Sequence, residues 1–174
     1  MIISLGVDCG VTFYLKEKNV RTIALPFDWV VTYNGVTDLI KNNFKKFKEN
    51  VLMPHHSFPK DIEKYIRRMK RFNELLNGNE ELIFIRKGHS EYHHSECNNI
   101  KCDILDSLEL NTHLLKTYPN LKYKIITCLI CNKCYDSDCI QNTSNLEIHF
   151  IKNKCIDHHQ IYDTFKNYMN KINL

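Results

Sequence analysis

Four short apolar runs constrain this chain more than any other feature. Ile2–Leu5, Leu82–Ile85, Leu121–Leu129 and Leu146–Ile151 are each strand length, and Leu82–Ile85 is hydrophobic without alternation. A continuous apolar strand must be covered on both faces, which a parallel sheet between helices provides. The stretches between the runs carry helical periodicity: Val11–Lys18, Val36–Lys48, Ile62–Leu76, Ile104–Tyr118 and Ile161–Ile172. Strands separated by helices predict a layered α/β protein with a mainly parallel sheet. In Ile62–Leu76 the apolar face reads Ile62, Tyr65, Ile66, Met69, Phe72, Leu75 and Leu76, with the basic residues around it and Asn77-Gly78 as a stop. Arg21–Trp29 reads as an extended piece, because Pro26 biases Leu25 away from helix.

With 174 residues, no internal repeat and no linker, the expectation is a single domain over residues 1–174. A formal charge of +4 is only mildly basic, and no nucleic-acid module appears, so no specific nucleic-acid partner is expected. No apolar run approaches the roughly 20 residues of a membrane span. The first residues also lack the basic and apolar regions of a secretory signal, which predicts a cytoplasmic protein with reduced thiols. There, the eight cysteines are expected to be a nucleophile, metal ligands or core residues rather than disulfides.

Cys9 stands apart from the rest. It follows the first strand and Gly6, where the next helix begins, so unpaired amides and the helix dipole are expected to favour its thiolate. The amides of Gly10 and Val11 are the expected oxyanion donors. A thiol nucleophile needs an imidazole base and a group to orient it. His159 with Asp157, His89 after the second strand, and His55 or His56 are the alternatives, and the sequence leaves them open. Arg86 at a strand end is a candidate for binding an anionic substrate group, because α/β proteins place sites at the carboxyl ends of strands. Phosphoester or nucleotide chemistry by Arg86 and the histidines is disfavoured by the absence of a Gly-rich phosphate loop.

Cys128, Cys131, Cys134 and Cys139 form a second cluster, whose two-residue spacings suit structural zinc. Cys97, Cys102, His93 and His94 are candidates to complete it. Against this, Cys128 ends an apolar strand, where cysteine is a normal core residue.

The segments Ile3-Ser-Leu-Gly-Val-Asp-Cys9, Leu25-Pro-Phe-Asp-Trp29, Phe44-Lys-Lys-Phe47, Arg67-Arg-Met-Lys-Arg71-Phe72 and Leu82-Ile-Phe-Ile-Arg86 resemble, in order, the DUF1796 family. Its members are described as papain-like cysteine peptidases and occur in bacteria, plants and large DNA viruses. The resemblance covers about the first half of the chain. It implies Cys9 as nucleophile and Asp28 and Trp29 as residues that shape the substrate site, and it lends weight to His55 or His56. The Gln that papain-like enzymes place before their cysteine is absent, and the second half shows no family motif.

Together these readings predict a cysteine-dependent hydrolase acting on a protein or peptide, with no catalytic cofactor. The alternative is a non-enzymatic factor that binds a protein, a host protein if the chain is viral. Its cysteine cluster would then hold zinc or pack in the core.

Overall fold

In the computed structural model, the described residues are 1–32, 35–53, 60–89, 103–131, 142–152 and 158–172. In chain order the elements are β1 (Ile2–Ser4), α1 (Gly10–Glu17), α2 (Thr37–Lys41), α3 (Phe47–Asn50), α4 (Ile62–Leu76), β2 (Leu82–His89), α5 (Asp103–Thr117), β3 (Tyr123–Cys131), β4 (Leu146–Lys152) and α6 (His158–Met169). The strands form one sheet in the order β1-β2-β3-β4, and all three pairings are parallel. The layered α/β architecture expected from the apolar runs is therefore the architecture observed.

Strand alternation divides the core in two. On one face, Ile3, Phe84, Tyr123, Ile125, Leu129 and Ile148 pack with residues of α2, α3, α4 and α5. On the other, Ile85, Ile126, Cys128, Ile130 and Ile151 pack with Val11, Tyr14 and Leu15 of α1 and Ile161, Phe165 and Met169 of α6. The first core is strongly aromatic. Phe27 lies 5.6–5.7 Å, centroid to centroid, from Phe72 and Phe44, and Phe47 lies 5.3 Å from Tyr65.

Three local expectations are corrected. The helix read over Val36–Lys48 is two short helices, because α2 ends in a Schellman motif. Asn43 takes φ 51°, its N–H donates to Ile40 O at 3.0 Å, and Phe44 N–H donates to Leu39 O at 2.7 Å. Asn tolerates this left-handed conformation better than other side chains, and Asn19 does the same after α1 at φ 55°. Arg21–Trp29 is not extended throughout. Residues 26–29 form a turn, in which Asp28 N–H donates to Leu25 O at 3.2 Å.

On α4 the buried stripe is Tyr65, Arg68, Phe72 and Leu76, while Ile62 and Ile66 are exposed. The face is turned relative to the one read from sequence because Arg68 is buried among aromatic and acidic partners. Its guanidinium lies 5.0 Å from the Tyr65 ring centroid, and Nη1 donates to Asp28 O at 3.5 Å.

Candidate active site

Cys9 lies just beyond β1, as the N-cap of α1, and is half-buried. The chain reaches it through a strained turn. Gly6 and Val7 have φ values of 74° and 75°, and a β-branched residue adopts such a value only under constraint. The constraint is Thr32, whose Oγ1 accepts the Val7 N–H at 2.9 Å and whose N–H donates to Val7 O at 3.2 Å. A Cβ at residue 6 would stand 2.6 Å from that hydroxyl oxygen, so the turn requires Gly6.

The expected thiolate is not the resting form of Cys9. Burial pushes the thiol up to about 11, Asp8 pushes in the same direction, and Lys87 opposes them. The short α1 does not outweigh its surroundings. Tyr65, from α4, is also close enough to interact electrically with Cys9, and burial raises its hydroxyl to about 12.

Behind Cys9 lies an ion pair. Lys87 Nζ sits 2.5 Å from Asp8 Oδ2, and the lysine side chain is only 3% exposed. Asp8 Oδ1 accepts the Gly10 N–H at 2.7 Å. This corrects one sequence expectation: the Gly10 amide is committed to Asp8, and Val11 is wholly buried, so neither is an open oxyanion donor.

Asp28 is 3% exposed and shapes the site from within. Its carboxylate accepts from Arg21 Nη2 at 2.9 Å, Leu25 N–H at 2.9 Å and Thr12 Oγ1 at 3.3 Å. It thus ties the 26–29 turn to the first turn of α1. As a residue contacting substrate directly it is corrected, since its oxygens are engaged inside the protein. Trp29, at φ 65°, is partly exposed and meets Phe13 edge-on with ring centroids 4.7 Å apart.

Arg86 is likewise corrected as a substrate-binding residue. β2 runs on through Arg86 to His89, so Arg86 is 1% exposed inside the sheet. Its guanidinium donates to Leu5 O at 3.0 Å, Thr32 O at 3.1 Å and Asp103 Oδ1 at 2.6 Å. The continuous strand was legible only up to Ile85, because Arg-Lys-Gly-His looks like a loop.

His159 lies exposed in the first turn of α6. His89 is the last residue of β2, in register with Ile130. Asp157, His55 and His56 lie outside the described residues.

The helices α1 and α6 lie on the same face of the sheet and run parallel. Phe13 meets Tyr162 at 6.4 Å between centroids, Tyr14 meets Phe165 at 5.7 Å, and Glu17 pairs with Lys166 at 2.7 Å. The pairs Phe13–Tyr162 and Glu17–Lys166 share one register, a helical turn apart on each helix. One turn back from Phe13 is Cys9, and one turn back from Tyr162 are His158 and His159.

Cys128 is the one candidate zinc ligand whose side chain is among the described residues. It is fully buried, its thiol contacts Met169 Sδ at 3.5 Å, and burial raises it to about 12. Cys131 is the last residue of the same strand. Cys134 and Cys139 lie outside the described residues, as do Cys97, Cys102, His93 and His94. Among the described residues, no group of three or more His, Cys, Asp or Glu side chains is placed to hold a metal ion. Nor is any helix among them long and apolar enough to cross a membrane.

The site at the carboxyl end of β1 is thus that of an all-parallel α/β protein with a cysteine at a strand-to-helix turn. Residues 1–60 match the family described as "Putative papain-like cysteine peptidase (DUF1796)", in agreement with the resemblance carried by the first segments. The chain is also similar to an uncharacterized protein of Acanthamoeba polyphaga mimivirus, at 27% identity over 135 residues, covering 49% of this chain. It spans 60% of that viral relative's length. No solved structure matches.

Proposed function

We propose that the chain is a cysteine-dependent hydrolase that opens an acyl bond of a protein or peptide. Cys9 is the nucleophile, and the base is an imidazole from the first turn of α6, with His159 the first choice and His158 beside it. The observation that supports the assignment is the packing of α1 on α6 through Phe13–Tyr162 and Glu17–Lys166, and the reading extends it one turn back on each helix, to Cys9 and to His158 and His159. Asp157, which precedes these histidines, is the carboxylate assigned to orient the imidazole.

Because the resting thiol is protonated, it attacks only as its proton passes to the imidazole. The sulfur bonds to the acyl carbon, the carbonyl electron pair moves to oxygen, and positive potential from the α1 terminus and Lys87 opposes the new charge. Collapse expels the leaving group, which takes the proton from the imidazolium. Water then cleaves the thioester and restores the thiol. Phe13, 45% exposed and one turn along from Cys9, offers with Trp29 an apolar surface for a neighbouring substrate side chain.

The test is turnover of fluorogenic peptide, ester and thioester substrates by the wild type, Cys9→Ser, His159→Ala and His158→Ala. Wild-type turnover that Cys9→Ser abolishes, and that one histidine variant lowers at least a hundredfold, is the expected result. Equal rates for the wild type and Cys9→Ser would overturn the proposal.

A further inference from the structure

Lys87 has no covalent step in that reaction, yet it brings an ammonium group into the interior next to Cys9, at 2% exposure. Its partner Asp8 keeps 26% of its side chain exposed, so the lysine carries most of the desolvation cost, and an apolar residue of similar size often serves stability as well. A lysine at this position therefore invites a reading other than stability.

We propose that Lys87 is a positioning residue of this site, acting through Asp8 to fix the first turn of α1 and the charge that Cys9 faces. The inference rests on the reading of Cys9 as nucleophile. Its geometry is direct. One carboxylate takes Lys87 Nζ on Oδ2 at 2.5 Å and the Gly10 N–H on Oδ1 at 2.7 Å. Asp8 therefore links β2 to the first amide of α1, and Cys9 is the residue between the two anchored positions. Lys87 reaches this place because residue 10 has no side chain: a Cβ there would stand 2.9 Å from Nζ and 3.3 Å from Cε.

The charged and titratable groups facing Cys9 come from three elements: Asp8 in the turn before α1, Lys87 on β2 and the neutral Tyr65 hydroxyl on α4. Asp28 and Arg68 act on Tyr65 and lie one step further out. Asp8 disfavours the thiolate and Lys87 favours it. Removing one partner or the other is therefore expected to move Cys9 in opposite directions, whereas a pair that does not set the charge at the sulfur would leave its reactivity unmoved.

The experiment is the rate of Cys9 alkylation by iodoacetamide against pH, on the full chain, with the modified residue located by mass spectrometry. Asp8→Asn keeps an oxygen for the Gly10 N–H but loses the charge, so alkylation at pH 8 rises about tenfold, the effect of one pH unit in thiolate population. Lys87→Met lowers it by a similar factor. Lys87→Arg and the double variant Asp8→Asn/Lys87→Met stay within about threefold of the wild type, because both keep the local charge balanced. If a single variant does not fold, the double variant and Lys87→Arg still test the balance. Shifts of the same sign in the two single variants, or a double variant displaced as far as either, would sink the proposal. Hydrolytic turnover is a separate readout: a wild type no better than Cys9→Ser removes the hydrolase reading, while the alkylation rates still report on Lys87.

Discussion

Thr32 and Val7 hold each other by two hydrogen bonds, one from the Val7 N–H to Thr32 Oγ1 at 2.9 Å and one from the Thr32 N–H to Val7 O at 3.2 Å. Val7 is thereby kept at φ 75°, two residues before Cys9. A non-glycine residue in that region costs on the order of 1–3 kcal/mol and persists only where its surroundings over-determine it. Thr32 is itself held by Arg86, whose Nη1 and Nη2 donate to Oγ1 at 3.3 Å and to the carbonyl oxygen at 3.1 Å. A chain of buried polar contacts thus runs from the centre of the sheet to the turn that presents the cysteine.

Thr32→Val keeps the shape of the side chain but removes the acceptor for the Val7 amide. An unsatisfied buried N–H costs about 1–3 kcal/mol, so urea unfolding should show a loss of about 2 kcal/mol, with Thr32→Ser close to wild type. Since the turn would relax toward negative φ, hydrolytic turnover should fall further than the folded fraction does. A Thr32→Val protein with wild-type stability would show that the strain is carried elsewhere.

Arg86→Lys tests the next link. The planar guanidinium serves Leu5 O, Thr32 and Asp103 together, and a single ammonium cannot reach all three. Breaking a buried, hydrogen-bonded pair costs about 3–5 kcal/mol, and Arg86→Lys should lose about 3 kcal/mol in urea unfolding. A surface ligand-binding arginine would give almost no loss, so this measurement separates the two roles.

The sheet was legible because four strand-length runs rich in apolar residues alternate with helical patterns, and α4 was legible because its period and Asn77-Gly78 stop agree. The polar interior was not legible. Arg86 and Lys87 look like the end of a strand, and only the pairing of Lys87 with Cys128, deep in the sheet register, shows that the strand continues. Likewise, Phe27, Phe44, Phe47 and Phe72, which carry the family resemblance, are all nearly or fully buried. Much of that pattern therefore records core packing, and Asp28 records a turn anchored on Arg21. Cys9 could be read from its strand-to-helix position. Its protonated state could not, because burial and Asp8 come from tertiary neighbours.

Alkaline pH should destabilise the fold through its thiols. Cys9 is raised to about 11 and Cys128 to about 12 from an ordinary value of 9.0, in both cases chiefly by burial. Below pH 9 both states keep these protons and the contribution to stability is complete. As pH rises from 9 toward 11–12, the unfolded chain releases protons that the folded chain retains, so stability falls. Tyr65, raised to about 12 by burial, acts in the same direction above its ordinary value of 10.0. Urea midpoints measured from pH 8 to 11 should decline, and the decline should be shallower in Cys128→Ala. An equal slope in that variant would remove Cys128 from the effect and leave it to Cys9 and the tyrosines.

Phe13 and Phe27 make the final contrast, because both are aromatic and close to Cys9 in sequence but only one is inside. Phe27 is fully buried and stacks edge-on against Phe72, so Phe27→Ala should cost about 4 kcal/mol, as large core truncations do. Phe13 is 45% exposed, and its ring contacts Trp29 and Tyr162 at the surface. Phe13→Ala should therefore cost only about 1 kcal/mol, the worth of its surface ring contacts. Its effect belongs in substrate binding: KM for peptides with an apolar residue beside the scissile bond should rise about tenfold, with kcat nearly constant, and KM for peptides with a polar residue there should not change. A uniform fall in kcat would instead place Phe13 in the α1–α6 register that aligns Cys9 with its base.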